Sequence, residues 1–121
     1  MKFTSYVLKK AHFDTDLGMA WAKLGKNSFN RYGVTLRMSM VHVLGNIKGM
    51  NIWFTFYYDD VMKQWKGSIR SAKLPINHIA EKYHGGGHKL AAGVTIYKKK
   101  EMKMLVEDIR EYLKQNIPHI K

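Results

Sequence analysis

The 121-residue chain predicts a single α+β domain, a mixed β-sheet of about four to five strands with helices packed on it. Three observations predict this class. An aromatic-rich run, Asn51 to Tyr57, is followed after a polar turn by a second alternating run, Gln64 to Ser71. Residues 100–116 place Met102, Leu105, Val106, Ile109 and Leu113 on one helical face. Shorter strand-like and helix-like segments surround these, with no repeat, low-complexity tract or linker dividing the chain.

In chain order, Lys2 to Leu8 alternates loosely and reads as a strand. Asp14 or Thr15 is placed to cap a helix carrying Leu17, Ala20, Trp21 and Leu24, with Gly25 ending it. Val34 to Leu44 fits a strand or a helix; its length, Thr35 as a cap and Gly45 as a stop favour a helix. The aromatic strand then turns at Tyr58-Asp59-Asp60 into its antiparallel partner. The pleat of that partner puts Trp65, Gly67, Ile69 and Ser71 on one face and Lys66, Ser68 and Arg70 on the other. Pro75 suits the first turn of a short helix with Ile76, Ile79, Ala80 and Tyr83 as its buried stripe. Gly93 to Tyr97 reads as a strand, and Pro118 is expected beyond the end of the last helix.

Composition narrows the chemistry. There are no cysteines, which excludes disulfides, thiolate metal sites and a cysteine nucleophile. No apolar run approaches the ~20 residues of a membrane span, and residues 1–10 lack a signal-like apolar stretch. A cytoplasmic protein without membrane contact is the expectation. The net charge of +12 is uneven: residues 61–100 hold 9 Lys/Arg and a single acid, Glu81, while residues 101–121 hold 4 of each. A positive field there favours anionic partners such as nucleotides or nucleic acid, although lysine excess alone also serves solubility.

That basic third contains Gly85-Gly86-Gly87-His88-Lys89-Leu90-Ala91-Ala92-Gly93. Consecutive glycines permit positive φ and allow successive N–H groups to converge on an anion. A short helix starting near His88 would aim its first N–H groups the same way. His88 adds a donor that titrates near neutrality, and Ala91 and Ala92 permit close packing on a sheet. A triple glycine by itself is most often a flexible turn. His84 and His88 have a spacing that binds zinc on a helix, but the intervening glycines argue against one.

Three stretches taken together carry a resemblance: Trp65-x-Gly67-Ser68-Ile69-Arg70-Ser71, Ile76-x-x-Ile79-Ala80-x-x-Tyr83, and Gly85-Gly86-Gly87-His88-x-x-Ala91-Ala92-Gly93. From about Tyr32 to Leu113 the chain resembles the C-terminal, DHH-associated domain of the DHH phosphoesterases, nearest the nanoRNase and pAp-phosphatase type. The resemblance implies a two-domain enzyme whose catalytic DHH domain holds two divalent ions, usually manganese, and hydrolyses a phosphoester. The C-terminal domain closes over the cleft and grips the substrate. Carried over by position, Arg70 meets a substrate phosphate or base, and Gly85, Gly86, Gly87 and His88 hold the phosphate end. Ser71, His84 and Lys89 are second-tier candidates.

The sequence departs from the family pattern in two ways. His84 stands where the family often has a further glycine. There is also no Asp-His-His motif and no carboxylate cluster with metal-ligand spacing, so no catalytic residue, metal ligand or cofactor is assigned to this chain. The expectation is a substrate-binding domain lacking its catalytic half, with that half in cis and short nucleotides or single-stranded nucleic acid as ligands. Because residue 1 falls near the start of the family's C-terminal domain, a piece of a longer protein is favoured over a natural stand-alone domain. The rival expectation is a non-catalytic RNA- or single-stranded-DNA-binding module, like the C-terminal domain of alanyl-tRNA synthetases. One of the aromatics of the strand after residue 50 could stack on a base.

Overall fold

The structure, a computed structural model, describes residues 9–24 and 49–120, with the side chains of residues 118–120 excepted. The expected strand at residues 2–8 and helix at residues 34–44 lie outside the described residues. Six strands are described: β1 (Ala11–Asp14), β2 (Met19–Lys23), β3 (Ile52–Asp59), β4 (Gln64–Ser71), β5 (Gly86–His88) and β6 (Ala91–Ile96). Among the described residues the helices packed with them are α1 (Asn77–Lys82) and α2 (Lys100–Ile120). The strands form one sheet in the order β1-β2-β3-β4-β6-β5. β2 runs parallel to β3 and all other neighbours are antiparallel. This is the α+β architecture the sequence predicts, with slightly more strands.

One face of the sheet carries the core. Phe54 and Phe56 of β3, Ile69 of β4 and Val94 and Ile96 of β6 pack with Leu105, Ile109 and Leu113 of α2. Ile76, Ile79, Ala80 and Tyr83, the predicted stripe around α1, join the same cluster. Leu105, Ile109 and Leu113 are fully buried, and each such side chain contributes about 2 kcal/mol from removal of apolar area from water. Hydrogen bonds from side chains then fix how the helices sit. Tyr83 Oη donates to Asp108 Oδ2, and Tyr112 Oη donates to the Pro75 carbonyl at 2.7 Å. Burial pushes the Tyr83 hydroxyl well above its ordinary value, and the neighbouring Asp108 carboxylate adds to this.

The helix expected from Asp14 or Thr15 to Leu24 is replaced by the end of β1, a turn and β2. The physical reason is a tertiary lock at Gly18. Its φ is +70°, and a Cβ there would lie 2.5 Å from Asn51 Nδ2. The Asn51 N–H donates to the Gly18 carbonyl at 2.6 Å, and Asn51 Nδ2 donates to the Leu17 carbonyl at 2.9 Å. Asp14 Oδ1 accepts the Leu17 N–H at 3.2 Å, so it closes a turn instead of capping a helix. Met19, Ala20, Ala22 and Leu24 are all buried, so the strand lacks the polar alternation that marks a half-exposed one.

The last helix also differs, running to Ile120 past Pro118. A proline in the final turn removes one backbone donor and leaves the preceding turns intact. At its other end, Glu101 Oε1 accepts the N–H groups of Tyr97 at 2.8 Å and Lys98 at 3.1 Å, closing the entry to α2.

Candidate functional site

The glycine loop is positioned by close backbone packing. The Gly85 N–H donates to the Ala80 carbonyl at 3.1 Å, just after α1 ends. A Cβ on Gly85 would lie 1.9 Å from the Gly93 carbonyl oxygen, so this position admits no side chain. Gly87 has φ +147°, and a Cβ there would lie 2.8 Å from the Ala91 carbonyl oxygen. These glycines let β5 press against β6.

The helix expected to start near His88 is therefore not formed; Gly86–His88 is the edge strand of the sheet. Pairing with β6 satisfies part of its backbone and fixes its direction, which a helical turn at His88 would break. In this three-residue edge strand the alternation leaves the Gly87 N–H facing outward, so one backbone donor is available to an anion in place of a helix end.

The register then aligns the predicted residues. His88 pairs with Ala91, Ala91 with Arg70, and Arg70 with Trp53. Directly paired residues project from the same face, so the four side chains form one row across β5, β6, β4 and β3. His88 is exposed and Arg70 and Trp53 are half-buried. At the usual strand spacing His88 and Arg70 stand about 10 Å apart at Cα, with only the Ala91 methyl between them. That gap suits a phosphate group held by an imidazole on one side and a guanidinium on the other. Arg70 Nη1 donates to the Ile69 carbonyl at 3.1 Å, and Arg70 forms no ion pair among the described residues.

The second-tier candidates diverge from this row. Ser71 faces the helix-covered side: it is 6% exposed, and its Oγ has no hydrogen-bond partner among the described residues. Its N–H donates to the Leu90 carbonyl at 3.0 Å, while the Ile76 N–H donates to the Lys89 carbonyl at 2.7 Å. These two bonds tie the turn between β5 and β6 to the end of β4 and to the start of α1. The Lys89 residue itself is exposed at that turn. His84, at φ +62°, turns away towards α2, with Nε2 3.1 Å from Glu101 Oε2 and its ring 4.6 Å from that of Tyr97.

Burial works to raise the Glu101 carboxyl, but the Lys98 and Tyr97 N–H groups and the His84 ring outweigh it and hold the group below its ordinary value. No three His, Cys, Asp or Glu side chains converge as a metal site among the described residues. No helix among the described residues is long and apolar enough to cross a membrane.

Trp53 was not singled out among the strand aromatics by the sequence alone. Its place beside Arg70 follows from the hairpin register, which pairs Asp59 with Gln64 and counts back to Trp53 opposite Arg70.

Comparison with known proteins agrees with the fold and with the glycine motif's family. The DHHA1 domain family matches residues 33–115. The uncharacterized protein MG371 of Mycoplasma genitalium is 44% identical over 116 residues, covering 95% of this chain and 36% of the relative. The bifunctional oligoribonuclease and PAP phosphatase NrnA of Bacillus subtilis is 34% identical over 101 residues, covering 82% of this chain and 32% of that protein. This chain thus spans about a third of the length of these relatives. An exopolyphosphatase-related protein from Bacteroides fragilis shares the fold with a TM-score of 0.74 at 24% identity, over 97% of this chain and 34% of that one. The pGpG-specific phosphodiesterase PggH of Vibrio cholerae shares it with a TM-score of 0.63 at 12% identity, over 94% of this chain and 38% of that one. The chain belongs to the DHHA1 domain family, the DHH-associated domain of the DHH phosphoesterases.

Proposed function

We propose that this domain grips a short nucleotide on behalf of a phosphoesterase, holding a phosphate between His88 and Arg70 over the Ala91 methyl. The observation that carries this reading is the register row of His88, Ala91, Arg70 and Trp53 on one face of the sheet. A guanidinium with no carboxylate partner among the described residues and an imidazole, flanking a small residue, supply charge and directional donors for a phosphate. The outward Gly87 N–H adds to them, and Trp53, next in the row, offers its indole to the attached base. The relatives named for oligoribonuclease and PAP phosphatase activity support the substrate class, one to a few nucleotide units.

The chain's residues bind, orient and neutralise charge. The hydrolytic chemistry, with the manganese ions expected for it, is assigned to a catalytic DHH domain in cis, a reading that membership of the DHHA1 family supports. A cytoplasmic setting fits such a partner domain.

Binding of 3′-phosphoadenosine-5′-phosphate and of a dinucleotide to the full chain tests the reading. Both are expected to bind weakly, with Arg70→Ala and His88→Ala each lowering affinity about tenfold while circular dichroism is unchanged. Equal affinity for parent and both variants rejects the site. Turnover by the chain alone in manganese rejects the division of labour. A strong preference for long single strands or tRNA, with a steep salt dependence, shows a nucleic-acid-binding module instead.

A further inference from the structure

A second concave site lies remote from the glycine strand, between β2 and α2. It is a groove of about 390 Å³, near the lower end of volumes that hold small ligands. Its apolar part is formed by Trp21, Met102 and Val106. The Trp21 indole is held between two rings: His12 stacks on it at 4.2 Å and 19°, and Phe54 lies parallel at 6.0 Å and 6°. That wall is therefore fixed before any ligand arrives, which lowers the entropic cost of binding.

The rim is basic. Four cations and one acid line the groove. Arg110 is already engaged, by Glu107 and by Asp14 at 3.7 Å. Lys23, Lys99 and Lys103 have no carboxylate partner among the described residues. Lys23 instead lies over the Trp65 ring at 5.1 Å. Lys99 stands just before α2 and Lys103 in its first turn, and both line the groove. Three lysines without a carboxylate partner among the described residues, around an apolar, aromatic-walled groove, are complementary to a ligand with an anionic end and a flat apolar body.

We propose that this groove is a second nucleotide site, taking the base of one nucleotide against Trp21, Met102 and Val106 and its phosphate at Lys23, Lys99 and Lys103. The small volume limits it to a single nucleotide unit, which can be a free mononucleotide or one unit of a longer strand. The glycine row and this groove lie on different parts of the fold, so the two sites respond independently.

Proton–nitrogen correlation spectra of the full chain, titrated with adenosine 5′-monophosphate to about 10 mM, test the proposal. Expected are shifts of the Trp21 indole and of the Lys103 and Val106 amides, saturating as a set. Lys99→Glu/Lys103→Glu should weaken that set about tenfold and leave shifts at Gly87 and Arg70 unchanged; Arg70→Ala should do the reverse. If charge reversal disturbs the fold, the milder pair Lys99→Gln/Lys103→Gln should weaken the same set of shifts. No α2 response, or one unaffected by both variant pairs, overturns the proposal. So does an equal response to inorganic phosphate, which marks an anion site without base recognition. A response to a polyglutamate peptide but not to the nucleotide overturns it in favour of protein docking. Because each site has its own variants, failure here leaves the glycine-row reading untouched, and the converse also holds.

Discussion

His84 Nε2 stands 3.1 Å from Glu101 Oε2, joining the residue before the triple glycine to the first turn of the C-terminal helix. Glu101 uses its other oxygen to accept the N–H groups of Tyr97 and Lys98. One carboxylate thus closes the α2 entry and steadies a residue at φ +62°, where a side chain is normally disfavoured. This explains how a histidine is tolerated where the family often has glycine.

Glu101→Ala is expected to destabilise the fold by about 1–2 kcal/mol, the usual cost of a lost cap plus a charge-assisted contact. Glu101→Gln should cost less, since it keeps an acceptor for the two N–H groups. His84→Gly should stay within about 1 kcal/mol of the parent, because relief of positive φ offsets the lost ring contacts. His84→Val should cost more than either histidine retention or glycine, as a β-branched residue resists that backbone region. Urea denaturation at neutral pH measures all four.

The Gly85 contact gives a sharper expectation. A methyl placed 1.9 Å from the Gly93 carbonyl oxygen cannot be absorbed by a side-chain rotation, because the atoms it meets, Gly93 O and C and Val94 Cα, are all backbone. Gly85→Ala should therefore destabilise the domain by about 3 kcal/mol or more, or lift β5 off β6. Hydrogen exchange separates these outcomes: local loss of protection at Ala91 and Gly93, whose N–H groups face β5, marks a detached edge, and uniform loss marks global destabilisation.

Sequence patterns were informative where one element decides its own structure. The β3–β4 hairpin, the Ile76-Ile79-Ala80-Tyr83 stripe and the apolar face of α2 all appear as their periods predict. They failed where a distant partner decides. Gly18 turns because Asn51 bonds across it, and Leu17, Ala20, Trp21 and Leu24 satisfy a helical spacing by coincidence across that turn and the largely buried strand β2. The Gly-Gly-Gly-His run was recognisable as a special loop, but its extended form depends on contact with Gly93. Ser71 sits beside Arg70 in sequence and faces the opposite side of the sheet, as the pleat requires.

Trp53 provides a test of the row itself. If the base of a bound nucleotide lies on its indole, Trp53→Ala should lower nucleotide affinity by about 1–3 kcal/mol, the range for loss of one stacked base. Trp53→Phe should recover part of this. Inorganic phosphate and pyrophosphate, which lack a base, should bind parent and variant alike. A loss of phosphate binding in Trp53→Ala would show that Trp53 supports Arg70 structurally instead of meeting the base. Isothermal titration with each ligand reads the difference.

The β3–β4 turn predicts a pH dependence of stability. Asp59 Oδ1 accepts the N–H groups of Val61 and Met62 at 3.0 and 3.2 Å, and its other oxygen lies 3.3 Å from Lys66 Nζ. The Met62 N–H lowers the carboxyl most; burial opposes it, and Lys66 and Val61 add to the lowering, leaving the group below its ordinary 3.8. A folded value below the unfolded one means that the stabilisation is complete above about pH 4 and is lost as pH falls through the folded value. Asp59→Asn keeps an acceptor for the turn but cannot titrate. Its stability should therefore fall less steeply than the parent's between about pH 4 and about pH 2. The slope should not vanish, because Glu101 is lowered in the same direction and remains. Asp59→Ala should lose about 1–2 kcal/mol near neutral pH, where the turn bonds and the Lys66 pair are both intact in the parent. Denaturation midpoints across the acid range check the order. Identical acid slopes for Asp59→Asn and parent would mean that this carboxylate does not couple folding to protonation.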